Sequence, residues 1–142
     1  MHFTIALTGS SLAFDLGARV FHIPSLAAAA WWSLAAASVV TVGTIVSGLV
    51  SRIRAPISDW AARSYAGWHM ALGPAFFGCL LAMAAWRRSA WARGVAPSWL
   101  YLGALAATIL LLTVQGYLGG ELVYRFGVEV RATRSRAHER NG

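Results

Sequence analysis

The sequence contains no lysine, one cysteine and only five acidic residues in 142. The lone Cys79 has no partner in the chain, which excludes an internal disulfide and a cysteine-built metal cluster within one subunit. A glycine-rich nucleotide loop, a Ser-His-Asp order, HExxH and CxxC are all missing, so no signature of phosphoryl transfer or hydrolysis is present and a non-catalytic role is expected. Charged residues amount to 12 %, about half the share of an average soluble domain, while hydrophobic residues amount to 58 %. Such a chain cannot cover itself with a hydrated surface, and a membrane protein is expected.

The distribution of the apolar residues supports this. Leu26 to Val50 holds no ionisable side chain. A soluble helix of that length would need a polar stripe, whereas a helix in hydrocarbon is apolar all round and needs roughly 20 residues to cross. Four such segments are expected, at about residues 3–23, 26–50, 64–86 and 97–120, with Gly73-Pro74 kinking the third. Short connections favour an all-α, integral membrane antiparallel four-helix bundle over residues 1–127, followed by an arginine-rich polar tail, 128–142. That tail, with Arg131, Ser135, Glu139 and Asn141, is expected to lie on the membrane surface or against a partner.

The net charge of +7 comes from twelve arginines. They stand at the ends of apolar segments and form no surface stripe, which fits a lipid bilayer and not a nucleic acid. Counted by side, Arg52, Arg54, Arg63, Arg125, Arg131, Arg134, Arg136 and Arg140 face Arg19, Arg87, Arg88 and Arg93, eight against four. Both termini are therefore expected in the cytoplasm, and alanine-heavy, lysine-free usage points to a bacterial inner membrane. Trp60, Trp68, Trp86, Trp91 and Trp99 lie near segment ends, where indoles anchor helices at the interface.

Ionisable groups in or beside hydrocarbon are costly, so they are candidates for function. Asp15 and Arg19 are spaced i, i+4 and are expected to pair on one helical face. Gln115 is expected to bond across to Ser33, Ser38 or Thr41. An up-and-down thread brings His2 and His69 to one end of the bundle, with Arg52, Arg54, Arg63 and Arg125 nearby. From His2 the line Ala6, Gly9, Ala13 is small enough to face another helix or a flat cofactor. Two such imidazoles can hold a b-type haem, with Arg52, Arg54, Arg63 or Arg125 pairing the propionates. A structural role for the histidines, and a metal site of His2, His69 and Glu121, are the alternatives. The pairs Gly116/Gly120 and Gly43/Ser47 are candidate packing contacts.

Two stretches carry a resemblance. His2-Phe3-Thr4-Ile5-Ala6-Leu7, followed by Phe14-Asp15, resembles the "HFPIAL…FD" opening of a bacterial family of four-helix membrane proteins known as domain of unknown function 2231. Gly119 to Val128 resembles that family's "GGxLVYxHGVGV" close, and His69 sits where members have a histidine early in the third helix. Thr4 stands in place of a proline and Phe126 in place of the closing histidine, so any cofactor ligand supplied by that histidine is lost here. The resemblance implies the four-helix membrane fold and leaves the activity open. The expected role is an accessory subunit of a larger respiratory or photosynthetic membrane complex, beside other integral membrane subunits, and the alternative is a haem b subunit exchanging electrons with the quinone pool.

Overall fold

The computed structural model describes residues 2–54, 57, 59–93 and 95–127, with His2 and Arg54 described by their backbone alone. Four helices follow one another: α1 (His2–Phe21), α2 (Pro24–Arg54), α3 (Trp60–Ala92) and α4 (Trp99–Tyr124). Among the described residues no strand occurs. Three of the helices, Pro24–Ile53, Trp60–Ala92 and Trp99–Tyr124, are long and apolar enough to cross a membrane. At 1.5 Å per residue the 20-residue α1 reaches about 30 Å, enough for the hydrocarbon core, but it carries a polar face.

Each helix is bounded by identifiable chemistry. Asp59 caps α3 by accepting from the Ala62 amide at 3.1 Å, and Ser98 caps α4 by accepting from Tyr101 at 3.1 Å. α1 stops at His22, whose φ of 57° is the left-handed turn that frees the chain to reverse into Pro24. The helices run past the expected segments. α2 continues to Arg54, and α3 spans Trp60–Ala92 in place of 64–86, taking Arg87 and Arg88 into the helix. Apolarity marks only the hydrocarbon portion, and nothing in the flanking residues breaks a helix that has already started.

The helices form an antiparallel ring. α1 lies against α2 and α4, and α3 against α2 and α4. Ser11 on α1 donates to the Ala30 carbonyl of α2 at 2.9 Å, and Thr41 of α2 meets Thr4 near the start of α1. Gly116 of α4 faces Ile5 of α1, while Gly120 meets only Tyr124 of its own helix. Thus Gly116 is a packing contact and Gly120 is not. Gly43 and Ser47 are exposed.

The buried face of α1 is its polar one. Thr4, Thr8, Ser11 and Asp15 are all buried, while Ala6 and Ala13 are exposed and Gly9 has open space beside it. The small-residue line from His2 therefore does not face the bundle. In lipid, apolar side chains gain nothing by turning inward, so hydroxyls that bond across or back to the helix take the interior. An apolar cluster including Leu34, Phe76, Leu80, Leu105 and Leu112 completes the core around them.

Candidate functional site

Two polar centres lie inside the bundle, one at each end. At the end formed by the α1–α2 and α3–α4 turns, Arg87 Nε donates to Asp15 Oδ1 at 2.7 Å, joining α3 to α1 across the ring. The side chains are 1 % and 0 % exposed. Asp15 does not pair with Arg19. Arg19 instead donates to the Pro97 carbonyl at 2.7 Å and places its guanidinium 4.7 Å from the Trp99 ring centre. The i, i+4 pairing loses because Arg19 near the end of α1 reaches the bundle rim, whereas Arg87 approaches Asp15 from inside. Tyr101 is buried beside the pair, and Asp15 Oδ2, both Arg87 Nη atoms and the Tyr101 hydroxyl have no partner within hydrogen-bond distance among the described residues. Only one of the five guanidinium donor hydrogens is thus used.

An aromatic rim surrounds that end. Trp31 stacks on Trp91 at 5.4 Å, and Trp86 meets Tyr101 edge-on at 5.7 Å. With Trp99 under Arg19, these rings tie the helices together where an interfacial belt is expected.

The second centre is a cavity of about 400 Å³ at the other end, within the range of roughly 300–1,000 Å³ for small-molecule pockets. Among the described residues its walls come from α2, α3 and α4 with Ile57 of the α2–α3 connection, and α1 contributes only Thr4. Thr41 is level with Thr4, so α2 runs on past the start of α1 by about ten residues, or roughly 15 Å. The cavity lies along that stretch of α2. From Thr41 to Arg52 along α2 it extends about 16 Å.

Three side chains give the cavity its chemistry. His69 sends Nδ1–H to the Gln115 carbonyl at 3.1 Å, since a carbonyl can only accept. In the neutral ring this leaves Nε2 as an acceptor, with the tautomer fixed by the bond. Gly119 makes the arrangement possible, because a Cβ there would stand 3.1 Å from His69 Cε1. Gln115 is only 6 % exposed, and among the described residues its side-chain amide makes no hydrogen bond; Oε1 is buried without a partner there, while Nε2 lies against Gly73. The expected bonds from Gln115 to α2 do not form. Ser38 and Thr41 give their protons back to Leu34 and Ala37 of their own helix, as hydroxyls in apolar helices commonly do. Arg52 is half-buried in the same wall and has no acidic partner among the described residues. Pro74, inside α3, lacks the N–H that the Met70 carbonyl would bond, and both residues line the cavity.

Of the residues expected at a cofactor site, the structure brings His69 and Arg52 to one cavity. Arg125 is exposed and bonds Glu121 at 3.3 Å, which holds its guanidinium further above its ordinary pKa and also engages the carboxylate of the alternative metal site. The side chains of His2 and Arg54 lie outside the described residues, as does the tail from Val128 with its arginines and His138. His22 is exposed in the α1–α2 turn, and Arg63 is exposed on α3. Among the described residues no group of three His, Cys, Asp or Glu is placed to hold a metal.

The Asp15–Arg87 pair was not legible as a pair, because Arg87 stands in sequence with Arg88 and Arg93 and reads as a loop charge. The one signal for it was the acid itself, set in an apolar segment and needing a cation.

Comparison with curated proteins gave no match, and neither did comparison with solved structures. A family model described as "Predicted membrane protein (DUF2231)" matches residues 1–132, nearly the whole chain, and agrees with the four-helix architecture and its three membrane-length apolar helices. The chain belongs to this family of membrane proteins, DUF2231.

Proposed function

We propose that the protein is a non-catalytic integral membrane subunit of a larger bacterial energy-transducing complex, respiratory or photosynthetic, and that it holds one lipid-soluble molecule in the cavity between α2, α3 and α4. The observation that carries this reading is Gln115, a buried amide without a hydrogen-bond partner in the wall of an otherwise largely apolar cavity. A buried polar group left unmet costs about 1–3 kcal/mol, and a bound ligand removes that cost. The accessory role is supported by exposed glycines. Gly43, Gly67, Gly78 and Gly103 have nothing within 4 Å of an added Cβ, and such faces suit close approach by another helix better than they suit lipid.

Orientation belongs to the same proposal. Counted by position, the turn end holds Arg19, Arg87, Arg88 and Arg93, four arginines against eight at the opposite end. The positive-inside rule supports an inner-membrane protein with both termini in the cytoplasm.

A second reading is a haem b subunit. It is favoured by the His69 bond, because an imidazole whose Nδ1–H is held by a carbonyl offers Nε2 in the manner usual for metal-ligating histidines. Arg52 would pair a propionate, with His2, Arg54 and Arg125 as the further candidate residues. A visible spectrum of the purified protein, oxidised and dithionite-reduced, separates the two. A colourless protein that copurifies with stoichiometric membrane partners supports the accessory reading; a sharp reduced band lost in His69→Ala supports the haem.

A further inference from the structure

We infer that the cavity takes a hydroxyl-bearing aromatic lipid of the quinol type, and that it prefers the reduced quinol to the oxidised quinone. This rests on the ligand-holding reading above. Water or lipid headgroups can satisfy some of the unmet groups in the wall and not others. Arg52, half-buried near the end of α2, can reach phosphate or water at the membrane surface, so its need does not select a ligand. Gln115 is about nine-tenths buried or more and lies some 11 residues of α2 deeper, level with Thr4 and Thr41, where neither is at hand.

At that depth the wall mainly lacks donors. His69 has spent Nδ1–H on the Gln115 carbonyl, so its neutral ring presents Nε2 as an acceptor. Gln115 Oε1 is unpartnered, and the Met70 carbonyl has lost its helical donor to Pro74. A hydroxyl on a ring supplies the missing proton to one of these acceptors and can accept from Gln115 Nε2 in the same contact. A quinone carbonyl accepts only, and leaves Nε2 of His69 unmet. That difference holds whichever way the Gln115 amide is turned. Phe76, Leu112 and Leu122 supply apolar walls for the ring, and the open side of the cavity between helices gives an isoprenoid or alkyl tail a path to lipid. A phospholipid in the same space would satisfy Arg52 but lay acyl chain against Gln115.

The test uses the full chain in dodecyl maltoside, titrated calorimetrically with decylubiquinol kept reduced under argon and, separately, with decylubiquinone. The quinol is expected to bind saturably and at least about tenfold more tightly than the quinone, because the hydroxyl partners are otherwise left unpaired. Gln115→Leu alone should weaken both ligands, and Gln115→Leu combined with His69→Phe should remove that preference, because both unmet side-chain acceptors are then gone. Gly48→Phe, which fills open space at the cavity wall, should weaken both ligands without touching Gln115 or His69, and Thr113→Val on the exposed face of α4 should change neither. Circular dichroism and a single elution peak establish that each variant is folded. Equal affinity for the two forms, or a preference that survives Gln115→Leu combined with His69→Phe, overturns the inference. Uptake of haemin with a His69-dependent band and no quinol binding also overturns it, while leaving a ligand-holding subunit intact. Binding of neither ligand overturns both the quinol inference and the ligand-holding part of the proposed function.

Discussion

Replacing Asp15 by leucine should cost more than replacing Arg87 by leucine, and replacing both should cost least. The pair is fully buried and held by one 2.7 Å contact. Removing one partner of such a pair costs about 3–5 kcal/mol, because an uncompensated charge remains inside, whereas replacing both by apolar groups is near neutral or stabilising. The two single changes differ because a carboxyl left alone has a neutral form available and a guanidinium does not. Asp15→Leu therefore strands a permanent cation, together with its unused Nη donors, and falls at the upper part of that range. Arg87→Leu strands an acid that can neutralise itself, and should cost at least about 1 kcal/mol less. The double variant should return to within about 1 kcal/mol of the parent, giving a coupling energy of about 5 kcal/mol or more, above the roughly 0.6 kcal/mol average for hydrogen bonds between membrane helices. Reversible unfolding in mixed micelles, followed by tryptophan fluorescence and helicity, measures all four corners of this cycle. Additive single effects, or an Arg87 substitution costlier than the Asp15 one, would refute the reasoning.

Two smaller changes probe the turn and the cavity. His22→Gly should stabilise the protein by about 0.5–1 kcal/mol in the same unfolding assay, since His22 is exposed and holds a left-handed φ of 57° that glycine adopts without strain; a loss of stability would show that the imidazole makes a contact worth more than the strain. Gly119→Ala should displace the His69 ring, which a new Cβ meets at 3.1 Å, and weaken its bond to Gln115, at a cost of about 0.5–1.5 kcal/mol and with a change in the imidazole nitrogen shifts. Gly17→Ala is the contrast, because its Cβ crowds the flexible Leu26 Cδ1 and touches Phe21 Cδ2 only at an ordinary 4.0 Å, and unchanged nitrogen shifts in Gly119→Ala would overturn the assignment.

What the sequence determined by itself is what lipid dictates locally. Runs as long and apolar as Leu26 to Val50 have one stable solution in hydrocarbon, a helix that satisfies its own backbone, so class, helix number and approximate positions could be read from composition and length. Short connections then fixed the up-and-down thread, and with it the meeting of His69, Arg52 and the start of α1 at one end. Helix ends were less legible, because polar residues such as Ser51 and Arg87 continue a helix as readily as they end one. The inward faces were not legible at all. Hydrophobicity, which points inward in water, has no direction in a membrane, so the choice between Ala6 and Thr8 as the buried side of α1 was made by contacts with other helices. Only the tertiary structure decided that Asp15 takes Arg87, 72 residues away, over Arg19 one turn on, and that α2 outruns α1 along a cavity around Gln115. Both depend on how far each helix slides along its neighbours, a quantity set by close packing across the ring and carried by no single stretch of sequence.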